Sequence, residues 1–311
     1  MSDNQEGLSS RNSWGFSVRL FAAYSFLLLL GLAGAAPALA APSLVAGGTA
    51  QAASARTAKI APHRAIYGMS LATVRNGANI TDVSGRMLFE WRDVCDGWAI
   101  QQHMQLHFTY ADGDDQDVTS TELTWEAKDG KSYSFNIRRL TNGKETENYR
   151  GKAVLNADGS GTVTYTEPKP KTVQLPAGTL FPSAHTQLIL QKAAQGEKLF
   201  TKRVFDGSDE DGSSDISAFI LPQKADTQKA GAADSALEAG LKANPLLADA
   251  GWPVHMAFFK IGTETGEPDY EMDLNLLPNG IARHMKIDYG DFAVTGNLED
   301  VEALPAPSCH E

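Results

Sequence analysis

His103 and His107, four residues apart, are the first pair in this chain whose type and spacing could hold a metal. On a strand they share one face with Gln105 between them. The helical His-Glu-x-x-His arrangement of a zinc protease is absent, so both rings are expected to be solvated surface groups. Two acidic runs, Asp112-Gly113-Asp114-Asp115-Gln116-Asp117 and Asp206-Gly207-Ser208-Asp209-Glu210-Asp211-Gly212, resemble calcium loops. Neither places a Glu at the twelfth position, so both read as acidic hairpin tips, with a weak extracellular-type calcium site as the alternative. No Gly-x-Ser-x-Gly elbow offers an activated serine, and no glycine-rich strand-to-helix loop offers a phosphate cradle. On these grounds no catalytic residue, metal ligand or cofactor is assigned.

Cysteine chemistry remains. The 311 residues contain two cysteines, Cys95 in the turn-like Asp93-Val94-Cys95-Asp96-Gly97 and Cys309 near the end. In an oxidising compartment an even count favours pairing. A Cys95–Cys309 bridge would constrain the unfolded chain by about 5 kcal/mol in the loop-entropy account. It is expected to fasten the C-terminal tail to the hairpin before Trp98 and to close a curled sheet whose ends would otherwise fray.

The compartment is read from the N-terminus. Arg11 and Arg19 precede the apolar run Leu20–Leu30, and Ala38-Leu39-Ala40 offers small residues for cleavage before Ala41. Residues 1–40 are therefore expected to be a cleaved signal peptide, and 41–60, rich in Ala, Gly, Ser and Thr, a flexible leader. The net charge of −11 and the lack of a basic cluster argue against nucleic acid and anionic lipid surfaces.

The elements that must carry these residues read as antiparallel strands. From Trp98 to Tyr110 the apolar Trp98, Ile100, Met104, Leu106, Phe108 and Tyr110 alternate with polar side chains, a period of two. Ala65-Tyr67-Met69-Leu71, Met87-Phe89-Trp91, Leu123-Trp125, Tyr133-Phe135-Ile137 and His255-Ala257-Phe259-Ile261 show the same texture. Asn76-Gly77, Asp96-Gly97, Asp129-Gly130, Asn142-Gly143, Asp158-Gly159 and Asn279-Gly280 stand between such runs and favour tight hairpins. A helix is expected over 184–194, capped by Ser183 and stopped by Gly196. A second helix is expected over 232–243, inside a flexible insert near 223–243. Leu175–His185 reads as a strand-to-helix connection, with the lip of a cavity as the alternative. Residues 61–311 are expected to form one mainly β domain, a curled antiparallel sheet wrapped around the first helix.

His63-Arg64-Ala65-Ile66-Tyr67, Ser84-Gly85-Arg86-Met87, Cys95-Asp96-Gly97-Trp98, the segment Leu175–His185 and the terminal Cys309 occur in one order. Together they resemble the periplasmic cell-envelope integrity protein B family of alphaproteobacteria. The resemblance covers the chain from about residue 61 to the end. It implies a periplasmic, spiral-like half-barrel similar to lipoprotein carriers, with Cys95 and Cys309 bridged and no enzymatic activity. It also implies a periplasmic partner such as a tetratricopeptide-repeat protein. A monomeric envelope-homeostasis factor that binds or scaffolds a protein is the leading expectation. A carrier of a lipid or lipoprotein acyl chain is the alternative. A hydrolase of envelope polymers would need paired carboxylates or a Ser–His pair converging in a cleft.

Overall fold

The computed structural model describes residues 59–210, 212–223, 235–261 and 266–309. The expected signal peptide and nearly all of the leader lie outside them, as do 224–234 of the insert. The strands are β1 (His63–Val74), β2 (Ile80–Asp93), β3 (Gly97–Tyr110), β4 (Gln116–Ala127), β5 (Ser132–Thr141), β6 (Lys144–Leu155), β7 (Gly161–Glu167), β8 (Lys171–Leu175), β9 (Thr179–Leu180), β10 (Leu199–Val204), β11 (Ser214–Ile220), β12 (Trp252–Lys260), β13 (Tyr270–Leu276), β14 (Ala282–Asp288) and β15 (Phe292–Ala303). Helix α1 (Pro182–Gln195) follows β9, and α2 (Ser235–Ala243) precedes β12.

All fifteen strands join one sheet in the order β8-β7-β6-β5-β4-β3-β2-β1-β15-β14-β13-β12-β11-β10-β9. Neighbours pair antiparallel, as short hairpin turns require, except for the parallel contact of β9 with β10. The first and last strands are paired in the middle of the sheet, His63 opposite Ala303. The two edges, β8 and β9, are consecutive in the chain, with only Pro176–Gly178 between them. That short link draws the edges together, and the curled sheet becomes a nearly closed barrel.

The seam is fastened without a ladder. The segment after β10 crosses it as a strap: Phe205 N–H donates to Leu180 O at 2.9 Å. Tyr133 Oη donates to Asp206 O (2.9 Å), Tyr165 Oη to Asp209 O (2.7 Å) and Lys171 Nζ to Glu210 O (2.8 Å). Gly178 N–H also donates to Asp158 O at 2.8 Å, tying the β6–β7 turn to the seam. Beneath the strap Tyr133, Phe135, Tyr165, Phe181 and Phe205 are almost fully buried. Tyr133 stacks on Phe181 at 5.0 Å, and Phe205 meets Phe135 edge-on at 5.6 Å. Asp206–Glu210 thus lie in the β10–β11 hairpin connection, the acidic tip that was expected, and this tip is tied down over the seam. Phe205, invisible to a count of acidic residues, anchors it inward.

Helix α1 lies at one end of the barrel. Its N-cap is Phe181, and Ser183 sits inside the first turn because Pro182 already occupies the opening position. The capping acceptor comes from another element: Glu126 on β4 accepts from Ser183 N–H (2.7 Å) and Ala184 N–H (2.8 Å). Gly196, in the left-handed region at φ 75°, ends the helix where the sequence indicated. Ile189 and Leu190 pack against Trp91, Ile216 and Met256, each contributing roughly 1.5–3 kcal/mol by burial. Helix α2 begins at Ser235, and its Leu241 packs against the barrel core.

A disulfide joins Cys95 to Cys309, with Cα atoms 5.7 Å apart and 214 residues of separation. Cys95 occupies the β2–β3 turn at φ 69°. The tail leaves β15, donates from Leu304 N–H to Pro62 O (2.9 Å) and passes β1 to reach it. The bridge therefore crosses β15, β1 and β2 in the middle of the sheet. It does not close the sheet's ends, because chain termini that pair with each other cannot also be sheet edges.

Candidate functional site in the barrel interior

Eight strands make a barrel that side chains alone can fill; fifteen enclose more space than they can occupy. One helix at one end does not make up the difference. Met104, Ile100, Phe89, Met272 and Leu274 share the inward phase of their strands with fully buried neighbours, yet each is only half-buried. An inward side chain that keeps accessible surface borders open space, so the barrel has a lumen.

The wall of that lumen is notable for methionine. The chain has seven, and the six among the described residues face inward: Met69, Met87, Met104, Met256, Met272 and Met285. Met87 pairs across strands with Met104, and Met256 with Met272. Met69 and Met285 meet over Gly296, where an added Cβ would stand 2.9 Å from both side chains. Unbranched, polarisable thioethers adapt their shape to what they contact.

Toward the end opposite α1 the lumen turns polar on one wall and aromatic on the other. Arg139 on β5 ion-pairs with Glu147 on β6, and Glu122 on β4 lies 4.0 Å from Arg139. Glu122 and Glu147 keep 29% and 30% of their side-chain surface, which marks them as lining rather than core. Burial pushes the Glu122 carboxyl up; Arg139 pulls against that, and Asp206 adds to it. Facing them is a row of rings: Phe258 stacks on Tyr270 at 4.1 Å, Tyr270 lies 6.3 Å from Tyr289, and Tyr289 lies 5.1 Å from Phe292. Burial raises the Tyr270 phenol far above its ordinary value. Asp206, Tyr289 and Glu122 raise it further, and Arg139 lowers it. Burial likewise pushes Tyr289 up to about 12.

Sequence reasoning assigned none of these groups, because Glu and Arg on strands read as solvent-facing. The available signal was phase: Arg139 continues Tyr133-Phe135-Ile137, and Glu122 lies between Val118 and Glu126 in the same register. The inverse error affects β12. His255, Ala257 and Phe259 were grouped as an apolar run, but Val254, Met256 and Phe258 are the buried set. Leu123 and Trp125 also point outward, Leu123 being 42% exposed.

The residues first considered for metal binding are on the outer face. His103 Nδ1 lies 3.0 Å from Thr121 Oγ1. His107 Nδ1 lies 2.8 Å from Asp117 Oδ1, and its Nε2 lies 3.4 Å from Asp115 Oδ2. The hydrogen bond to Asp117, with the charges of Asp117 and Asp115, raises the His107 pKa. No group of three or more His, Cys, Asp or Glu side chains arranged to hold a metal occurs among the described residues. An outer groove of about 340 Å³ lies over β12–β15, bordered by Leu221, Pro253, His255, Asp273, Lys286 and Thr295. His255 Nδ1 contacts Asp273 at 2.9 Å there.

Comparison with known proteins agrees with this architecture. The chain is 32% identical over 270 residues to the cell envelope integrity protein EipB of Brucella abortus (strain 2308), covering 85% of this chain and 92% of that protein. The crystal structure of a beta-barrel-like protein of a domain of unknown function, also from Brucella abortus, superposes with a TM-score of 0.72 at 27% identity. It covers 79% of this chain and 99% of that one. Residues 54–305 match the EipB-like family model, so the chain belongs to the EipB-like family.

Proposed function

We propose that the protein is a non-enzymatic factor of the cell envelope, exported to the periplasm, that maintains envelope integrity by holding an apolar ligand in its barrel. The observation that carries this reading is the inner wall of the barrel, where inward methionines stand beside apolar side chains that are only half-buried. A lipid or lipoprotein acyl chain has the length and chemistry such a wall accommodates. The envelope role is drawn from the name of the Brucella relative. The export reading rests on the apolar run Leu20–Leu30 and the small residues up to Ala41.

A second reading, docking of a protein partner such as a tetratricopeptide-repeat protein, is favoured by one feature of the outer face. Leu199, Phe219 and Leu221 are 65%, 40% and 46% exposed at the β10–β11 edge, an apolar patch suited to a protein surface.

Native purification from periplasm, followed by organic extraction and mass spectrometry, separates the two. A stoichiometric acyl-bearing ligand is expected. Protein that emerges empty from several preparations, yet captures a defined partner through the Leu199 patch, would overturn the ligand reading in favour of scaffolding.

A further inference from the structure

The outer edge of β10 is only partly covered, because β9 pairs with Arg203 and Val204 alone. On the other side of β10, Ile220 N–H donates to Lys198 O at 2.7 Å. The bonded pairs with β11 are therefore Lys198–Ile220, Phe200–Ala218 and Lys202–Ile216. In an antiparallel ladder the residues between bonded pairs turn their N–H and C=O groups the opposite way. Leu199 and Thr201 thus aim their main-chain groups at the open edge, where none of them has a partner among the described residues. Both residues are exposed.

Apolar surface and basic charge frame this stretch. Leu199 stands opposite Phe219, and Leu221 follows; all three side chains are exposed. The nearby acids are already answered, Glu197 by Lys192 and Asp215 by Arg203. Lys198 and Lys202, one at each end of the stretch, make no ion pair among the described residues. In a chain of net charge −11 this is an uncovered basic edge. A row of alternating unpaired donors and acceptors is matched by extended main chain. A second copy matches poorly: antiparallel pairing centred on Phe200 sets Lys198 of one copy opposite Lys202 of the other, like charge on like charge. Lysine on an edge guards against such self-pairing, and the same lysines attract an acidic strand.

We propose that the Leu199–Thr201 edge takes up an extended acidic segment of a protein partner as an added strand. Two acids of that segment, four residues apart, stand opposite Lys198 and Lys202, and apolar residues between them pack beside Leu199. The inference rests on the docking reading of the Leu199 patch and adds the conformation and charge of what docks there.

The test titrates the purified protein with a labelled peptide built on the core Glu-Val-Thr-Val-Glu, read by fluorescence anisotropy at low salt. A counterpart with lysine for both glutamates and a form N-methylated at both valines serve as comparisons. The acidic peptide is expected to bind about tenfold more tightly than the basic one, with the ratio shrinking in high salt. N-methylation removes the donors that face Leu199 and Thr201 and should abolish binding. Hydrogen exchange read by NMR should find the Leu199 and Thr201 amides exchanging freely alone and protected in the complex. Lys198→Glu combined with Lys202→Glu should reverse the preference. Thr201→Pro deletes an edge N–H without touching the β11 ladder, and should weaken the acidic peptide while circular dichroism stays native. Equal binding of the acidic and basic peptides would overturn the charge assignment, and undiminished binding of the methylated form would rule out strand addition. Self-association of the protein alone, lost in Thr201→Pro, would give the edge to a second copy and refute the proposal. If no peptide binds, the edge assignment fails. Docking at the patch is judged separately, by whether Leu199→Asp and Phe219→Asp abolish capture of the defined partner.

Discussion

Glu126 is bonded to the main chain of Ser183 and Ala184, beside the buried His185, and burial shifts the pKa values of the two groups in opposite directions. Burial pushes the Glu126 carboxyl up to about 7, although Ser183 N–H and Ala184 N–H pull it down. Burial lowers His185 to about 4. Between the unfolded carboxylate range and about pH 7 the native state holds an extra proton on Glu126, so that group's contribution to stability falls as pH rises through this window. Between about pH 4 and the unfolded imidazole value the native state holds one proton fewer on His185, so its contribution falls as pH drops. Each shift corresponds to roughly 3 kcal/mol across its window. In the wild type the two slopes oppose each other over most of the mildly acidic range, and denaturant midpoints should vary little there. His185→Leu is expected to leave the Glu126 slope alone, with stability rising as pH falls from 7 toward 4.5. Glu126→Gln should leave the opposite slope, with stability falling below pH 6.5. Urea titrations across pH 4.5–7 check both, and two variants with the same slope would refute the assignment.

Among the elements, the strap after β10 is the least obvious from sequence and the most exacting in packing. Gly207 has φ 78°, and a Cβ there would stand 2.6 Å from the Phe135 ring. Gly207→Ala combines a left-handed backbone with overpacking against an aromatic core. It is expected to cost about 1–3 kcal/mol and to increase proteolysis near the seam. Wild-type melting and cleavage in this variant would mean the strap is loosely held. What could be read beforehand follows from locality. Alternation and Asn-Gly or Asp-Gly turns reported the β1–β7 meander because each hairpin encodes its own turn, and Gly196 marked the end of α1 because a C-cap is a local conformational demand. The Glu126 cap and the Asp206 clasp depend on segments far apart in sequence. Ser183 looked like the cap because the competing acceptor lies on β4. Glu122 and Arg139 looked like surface residues because a barrel with an open interior tolerates charge on its inner wall, which a solid core does not.

For the molecule as a whole, the disulfide is a tether between the C-terminal tail and the β2–β3 turn. β1 already pairs with β15 along most of its length, so the fold does not depend on the covalent link. Cys95→Ser and Cys309→Ser are each expected to keep native strand content by circular dichroism. The thermal midpoint should fall, by at most about 5 kcal/mol of stability in the loop-entropy account. Thiol labelling of the oxidised folded protein should find neither cysteine reactive. An unchanged midpoint in both variants would make the bridge incidental to stability.

The pairing of first and last strands carries one more consequence. Read around the barrel from β9, the strands follow as β10 to β15 and then β1 to β8, which is the chain order with its starting point moved. The fold is a cyclic permutation of a simple up-and-down meander. Its first and last strands meet inside the sheet, and a short peptide link across the seam is Pro176–Gly178. A chain rejoined between β15 and β1 and opened at that link would trace the barrel as an uninterrupted run of neighbouring strands. It would also give up the short covalent link between β8 and β9, leaving the strap after β10 to hold the seam. In the natural order, that three-residue connection does with covalent bonds what a closed barrel does with a ladder of hydrogen bonds.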